Sequence, residues 1–326
     1  MSRGIARAAI VLATALGAFA GNAAGQEWPA KPIRFVVPFA PGGATDVVSR
    51  IIADRLSTRL GQPIAIDNRP GAGGNIGAAV VKSAAPDGYT LFVAGSPGFT
   101  NAGALTKDPG FDADKDFVPV AMIATQSVLL AVTSSLPANS VQEFVAHAKS
   151  RPGQLSYGTP GIGTPHHLAM ELLKQQAGID VVHIPYRGGA PAAQDLLAGQ
   201  IPVIFGSYTV VGAHYKSGKL KILGNSSRRP MTQAPEIKSI AEQGFPDFDV
   251  DIWFGLMAPT GTPAAVVERM NREAHAVTEL DDIKQRLLPT GSDPPPKLSP
   301  AEFSVRVKAD IKRWSDVVRK AGIKSD

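Results

Sequence analysis

The sequence predicts an α/β fold of two lobes, each built on a mainly parallel sheet flanked by helices. Three observations carry that expectation. Strand-like apolar runs alternate with helical patterns along most of the chain, as in successive βα units. The chain has 326 residues, beyond the usual limit of a single core, so two domains are the default. The apolar run Val118–Val132 is too long for one ordinary strand, and a matching run returns at Val250–Pro259. These runs read as two crossings between domains. The first domain is then discontinuous, roughly 27–126 with 254–326, the second is 127–253, and the paired crossover strands form a hinge.

From the N-terminus, residues 1–25 read as an export leader. Arg3 and Arg7 give a positive start, AAIVLATALGAFA an apolar stretch, and AGNAAGQ the small residues of a cleavage site before Gln26, with a cut after Ala23 as the alternative. The apolar stretch is shorter than the ~20 residues of a membrane span. There is no cysteine, so the lipid-anchored route, which needs one at the cleavage site, is excluded, as are disulfides, thiol nucleophiles and cysteine-zinc sites. The mature protein is therefore expected to be exported and free rather than tethered.

The first strand, Ile33–Phe39, runs through the loop APGGATD into a helical run ending at Leu60. The first N–H groups of a helix have no internal partner and the macrodipole places partial positive charge there, so this arrangement suits a carboxylate or phosphate. Gly42 and Gly43 allow close backbone approach, and Pro38 and Pro41 limit the loop's wandering. Ile64–Asn68 is the next strand. Gly71, Gly73 and Gly77 follow with the spacing G-x-G-x-x-x-G, which is not the dinucleotide fingerprint, so this loop reads as structural and Arg69 as its brace. Thr90–Ala94 is the third strand and Val118–Val132 the first crossover.

Beyond the crossover, Leu155–Tyr157 leads into a second copy of the strand, Gly-Pro loop and helix design at Ser156–Leu173. Thr164 is a plausible N-cap there, and Pro165 stands where a first helical residue tolerates a missing N–H. Strands at Val181–Pro185, Val203–Phe205, Lys221–Leu223 and Val250–Ala258 complete the pattern. Both Gly-Pro loops follow strands at their carboxyl ends, where open α/β sheets place small-molecule sites. Facing each other across a cleft, they would let one carboxylated ligand bridge two domains.

Other chemistries fit poorly. The nearest approach to a nucleophile elbow, Ala94-Gly95-Ser96-Pro97-Gly98, has alanine where the first glycine belongs, and Pro97 would distort the following helix. Paired carboxylates and a P-loop are missing, so no catalysis and no cofactor are expected. His166 and His167 are adjacent, about 100° apart on a helix, and so poorly placed to share a metal. One is expected to face the cleft and the other core or solvent. The formal charge of +5 falls to +3 without Arg3 and Arg7, and no basic stripe marks a nucleic-acid or membrane partner.

The stretches WPAKPIRFVVPFAPGGATDVVSRIIADRL, IDNRPGAGGNIGAAVVKSAAPDGYTLFVAG, YGTPGIGTPHHLAMELLK, HIPYRGGAPAAQDLLAGQIPVIF and FGLMAPTGTP, in this order over nearly the whole mature chain, resemble the Bug-type substrate-binding proteins of tripartite tricarboxylate transporters. The resemblance implies a two-lobed periplasmic-binding-protein fold, type II-like, that closes on a small organic carboxylate and delivers it to membrane permease subunits. By matching positions, Phe39, Ala40, Gly42, Gly43, Thr45 and Asp46 would form the first half of the site, and Gly161, Gly163, Thr164 and His166 the second. Ser96, Tyr186, Arg187 and Asp195 are plausible side-chain neighbours. The ligand classes implied are di- and tricarboxylates, acidic amino acids and aromatic acids, with a monomer expected. Docking on a membrane sensor kinase is the alternative to delivery, and a hydrolase is the less favoured third.

Asp46 also suits the first turn of its helix for a structural reason, since a negative side chain there favours the dipole and can cap neighbouring amides. Arg187 lies where a guanidinium can be aimed at a carboxylate, although an exposed surface arginine is the plainer reading. Trp253, at the return crossing, is expected to pack rather than to line the cleft.

Overall fold

The computed structural model describes residues 27–323, and the leader lies outside the described residues. Ten strands form one sheet: β1 (Ile33–Val37), β2 (Ile64–Asn68), β3 (Thr90–Gly95), β4 (Phe117–Thr133), β5 (Ser156–Thr159), β6 (Val182–Pro185), β7 (Val203–Ser207), β8 (Leu220–Asn225), β9 (Asp251–Pro259) and β10 (Ser292–Asp293). The helices are α1 (Ala44–Leu60), α2 (Asn75–Lys82), α3 (Ala102–Leu105), α4 (Val141–Lys149), α5 (Pro165–Ala177), α6 (Gly189–Leu197), α7 (Tyr208–Lys216), α8 (Ala264–Thr278), α9 (Asp281–Leu287) and α10 (Pro300–Ala321). The strand order is β2-β1-β3-β9-β4-β7-β5-β6, with β8 and β10 also on β4.

The long apolar run is one strand of 17 residues, unbroken at Thr125-Gln126-Ser127. Its first part, Phe117–Ser127, pairs with β9, and its last part, Val128–Thr133, pairs with β7 and β8. A single strand thus joins a first set (β1, β2, β3, β9, β10) to a second (β5, β6, β7, β8). β9 begins opposite Ser127, where β4 leaves the first set. Almost every residue of β4 is buried, which explains its near-continuous hydrophobicity. Consecutive residues serve opposite faces: Met122 packs in the cluster of Phe303 on α10, and Ile123 in the cluster of Met270 on α8.

The expectation of mainly parallel sheets holds at the flanks but not at the centre. β1 with β2 and β3, and β5 with β6 and β7, are parallel. β9 is antiparallel to both β3 and β4, and β4 is antiparallel to β7, β8 and β10. The reason is the path of the chain. A strand that carries the chain out of one set and a strand that brings it back run in opposite senses, so neighbours across the junction oppose each other. The sheet is therefore mixed, and the first set gains the short strand β10, which no sequence run marked.

Trp253 packs, as expected: its indole N–H donates to Asp310 at 2.7 Å and its ring meets Phe303 edge-on at 5.1 Å. The neighbouring Gly255 is small for a steric reason. A Cβ there would lie 2.5 Å from Phe303 Cζ and 3.3 Å from the Ala121 carbonyl oxygen. Gly255→Ala should therefore cost ~1–3 kcal/mol by overpacking and lower the melting temperature by several degrees. An unchanged melting temperature would show that α10 yields freely at this contact.

Candidate functional site

The first Gly-Pro loop runs from the end of β1 to the start of α1. Its N-cap, Gly43, is extended and offers no side-chain bond to the helix. Val47 is the first residue of α1 whose N–H finds a helical acceptor, Gly43 O at 2.9 Å, so the N–H groups of Ala44, Thr45 and Asp46 have none among the described residues. Gly42 takes φ +89°, a left-handed conformation that favours glycine. Phe39 and Ala40, the first two residues of the carried-over set, are exposed at the loop's start.

Asp46 is almost fully buried and its carboxylate faces back into its own loop. It accepts from the Gly42 N–H at 2.9 Å, Asn68 Nδ2 at 2.9 Å and Arg50 at 2.9–3.1 Å. Burial pushes the carboxyl upward, but Arg50, the Gly42 N–H and Asn68 outweigh it and hold Asp46 below its ordinary value. Asn68, at the end of β2, also donates to Phe39 O at 2.9 Å. The loop is thus braced from behind by its own helix and a neighbouring strand. Arg69 does brace its own segment, through Asp67 at 3.0 Å, and Gly74 and Gly77 lie close under Pro38, consistent with a structural role for the glycine-rich loop.

Between the two Gly-Pro loops lies the segment that follows β3. Thr45 is buried beside its start, its Oγ1 4.0 Å from where a Cβ on Gly95 would stand. Ser96 is buried, its N–H bonded to Trp253 O at 3.0 Å and its Oγ without a partner among the described residues. Asn101 is fully buried and donates from Nδ2 to Gly163 O at 3.4 Å, while its Oδ1 has no partner among the described residues. The segment after β3 therefore touches both loops.

In the second loop Thr164 is the N-cap of α5, accepting from the His167 N–H at 3.4 Å and donating to Gly161 O at 2.8 Å. Gly163 has φ +72° and its N–H donates to His167 Nδ1 at 3.1 Å. The Gly161 N–H goes to Thr159 Oγ1 at 3.2 Å. The N–H groups of Ile162, Thr164 and His166 find no acceptor among the described residues. His167 is buried against Tyr157 and His183, whereas His166 is half-buried with an enclosed, unpartnered Nδ1.

Tyr186 joins this half by position, its N–H on Thr159 O at 2.9 Å, and its hydroxyl donates to Asp195 at 2.7 Å. Burial and then Asp195 push the phenol up to about 12. Asp195 thus has a protein partner already, and Arg187 is exposed. Of the residues that the sequence singled out, the structure clusters Thr45, Ser96, Gly161, Gly163, Thr164, His166 and Tyr186 around the loops and the β3 segment. Asn68, Asn101, Thr159 and His183 belong to the same architecture and were not singled out.

His166, His167 and His183 are all pushed down from 6.5 to about 4, by burial in each case, with Lys174 adding to the effect at His167, and His167 and Lys174 at His183. The unfolded chain thus takes protons before the folded one as pH falls. Their contribution to stability is present above about pH 6.5 and declines between about 6.5 and 4. The melting temperature is expected to drop over that window, above the range in which carboxylates held low, such as Asp46, begin to matter. A flat profile between pH 7 and 4.5 would contradict neutral, buried imidazoles.

The model of the tripartite tricarboxylate transporter family receptor matches residues 48–323. Protein BugT of Bordetella pertussis is 33% identical over 325 residues, 99% of each chain. Among solved structures, R. palustris Rpa4515 with adipate is 35% identical with a TM-score of 0.76, covering 92% of this chain and 100% of that one. MatC from Rhodopseudomonas palustris with bound malate is 33% identical with a TM-score of 0.73, covering 89% and 100%. No helix among the described residues is long and apolar enough to cross a membrane. With the mixed sheet, the two Gly-Pro loops leading into helices and a match over most of its length, the chain belongs to the tripartite tricarboxylate transporter receptor family, the TctC/Bug-type periplasmic solute-binding proteins.

Proposed function

We propose that the chain is exported to the periplasm, captures a small organic carboxylate between the two Gly-Pro loops as a diffusing monomer, and delivers it to membrane subunits of a tripartite tricarboxylate-type transporter. The observation that carries this reading is the pair of helix N-termini, α1 with the N–H groups of Ala44, Thr45 and Asp46 and α5 with that of His166 lacking acceptors among the described residues, with the second loop bonded to the segment after β3. Such donors stabilise an anion without a cationic side chain. Ser96 Oγ, Asn101 Oδ1 and His166 Nδ1, enclosed and without partners among the described residues, supply further hydrogen bonds of the kind a ligand or bridging water satisfies. The bound adipate and malate of the two related structures support a carboxylate ligand, and the family description supports the transporter partnership.

Capture proceeds by rotation of the second strand set about β4 and β9, so that the second helix terminus completes a cage begun by the first. The chain binds and releases its ligand unchanged. The proposed domain division, 27–126 with 254–326 against 127–253, follows the point where β4 exchanges β9 for β7 and β8.

A thermal-shift panel of organic acids tests the reading. An acid present at about a hundred times its dissociation constant should stabilise by ~2.7 kcal/mol, a shift of several degrees. No shift from adipate, malate or any other acid in a refolded, ligand-stripped sample would overturn it.

A further inference from the structure

One residue of the second loop, Gly163, is gripped from both sides, through its N–H in one peptide group and its carbonyl in the next. Its N–H donates to Nδ1 of His167, on α5 of the second strand set, at 3.1 Å. Its carbonyl accepts from Nδ2 of Asn101, in the segment that follows β3 of the first set, at 3.4 Å. Leu105 closes the same contact, since a Cβ on Gly163 would stand 2.6 Å from its Cδ1. Among the described residues, no other loop residue has its backbone bonded to both strand sets.

The grip on the N–H side demands a particular imidazole. Accepting from Gly163 requires a lone pair on Nδ1, so His167 is neutral with its proton on Nε2. That nitrogen lies 4.0 Å from Glu171, whose carboxylate is already engaged by Lys174 at 2.8 Å and the Tyr157 hydroxyl at 2.8 Å. The ring stacks on His183 at 3.8 Å and 13°, and His183 Nε2 lies 2.6 Å from Thr159 Oγ1, the acceptor of the Gly161 N–H. The groups facing His167 are thus Tyr157 of β5, His183 of β6, and Glu171 and Lys174 of α5, beside the neighbouring His166. From the β3 segment, Asn101 and Leu105 meet the Gly163 contact, and neither titrates.

We propose that His167 and Asn101 are positioning residues for ligand capture. Together they fix the two peptide groups that flank the Gly163 Cα and so lock the second loop onto the segment that carries Ser96, and a proton on His167 Nδ1 undoes the lock. A protonated His167 would present an N–H to the Gly163 N–H, two donors in one contact. The 162–163 peptide must then turn away, and the change at the Gly163 φ and ψ angles draws the carbonyl of the following peptide off Asn101. The inference rests on carboxylate capture between the loops, and it assigns to two residues a role in holding the loop rather than in touching the ligand.

Calorimetric titration with adipate and malate, from about pH 7.5 down to about pH 4, tests it on the wild-type protein and on His167→Asn, His167→Leu and Asn101→Leu. Asparagine offers a non-titrating acceptor near the position of Nδ1, and leucine offers none. His167→Leu and Asn101→Leu should weaken binding about tenfold or more at neutral pH with the circular dichroism unchanged, the scale of one lost hydrogen bond. His167→Asn should restore most of that affinity and lose less of it on acidification than the wild type, while the ligand's own titration is common to both. Wild-type affinity in His167→Leu, or identical pH profiles for wild type and His167→Asn, would overturn the proposal. A ligand-free readout separates its failure from failure of carboxylate capture. Nitrogen-15 spectra of His167 should show an unprotonated Nδ1 and a protonated Nε2, and the reverse tautomer would overturn the grip even if neither acid binds.

Discussion

Gly163→Val is expected to abolish measurable binding of adipate and malate, a loss of at least about a hundredfold. Gly163 stands at φ +72°, where a β-branched residue is strained, and its Cβ would meet Leu105 Cδ1 at 2.6 Å. Valine therefore both distorts the loop and pushes it off the β3 segment. The fold should largely survive, because the clash falls on a loop and on Leu105, which is only partly buried at the edge of the main core, with the melting temperature lowered by a few degrees. Gly43 provides the control. Its φ is −74° and the nearest atom to an added Cβ would be Ala40 O at 3.6 Å, so Gly43→Ala should fold normally. Unchanged affinity in Gly163→Val, measured by titration calorimetry, would remove the second loop from the site.

Asp46→Ala should destabilise the protein by ~2–3 kcal/mol and disorder the first loop, lowering affinity along with stability. The side chain is 2% exposed and serves Gly42, Asn68 and Arg50 at once. Its removal leaves the Gly42 N–H and the Asn68 amide short of an acceptor, while Arg50, half exposed, returns to water, which limits the loss. Because the folded carboxyl is held below its ordinary value, the Asp46 contribution is present above about pH 3.8 and lost as pH falls through the folded value. The gap in melting temperature between wild type and variant should therefore narrow in strong acid. Equal melting temperatures at pH 7 would show that the loop does not depend on this brace.

Much of this architecture was legible in the sequence because it rests on local periodicity. The strands, the 17-residue β4 and the two strand, Gly-Pro loop and helix units each leave a signature within about twenty residues. The antiparallel centre was not legible, since strand direction depends on where the chain goes between β3 and β9 rather than on the strands themselves. β10 spans only Ser292–Asp293 and has no apolar run to mark it.

Within the site, helix-dipole reasoning placed Asp46 in a first turn but could not name Arg50 and Asn68 as its partners. The Tyr186–Asp195 bond joins the end of a strand to the middle of a helix nine residues on, a separation no periodic rule recognises. Asn101 meets Gly163 across 62 residues, and the His167–His183 stack joins α5 to β6. Such contacts belong to the packing of separate elements, and only the folded chain states them.

The central claim is that two helix N-termini hold one carboxylate between them. The most direct test is an amide nitrogen-15 titration of the refolded protein with adipate or malate and with the corresponding amide. Binding of the acid is expected to shift the N–H signals of Ala44, Thr45 and Asp46 together with those of Ile162, Thr164 and His166, at one common affinity, while the amide leaves both groups unmoved. Shifts confined to one loop, or equal shifts with the uncharged amide, would contradict capture of a carboxylate between the two.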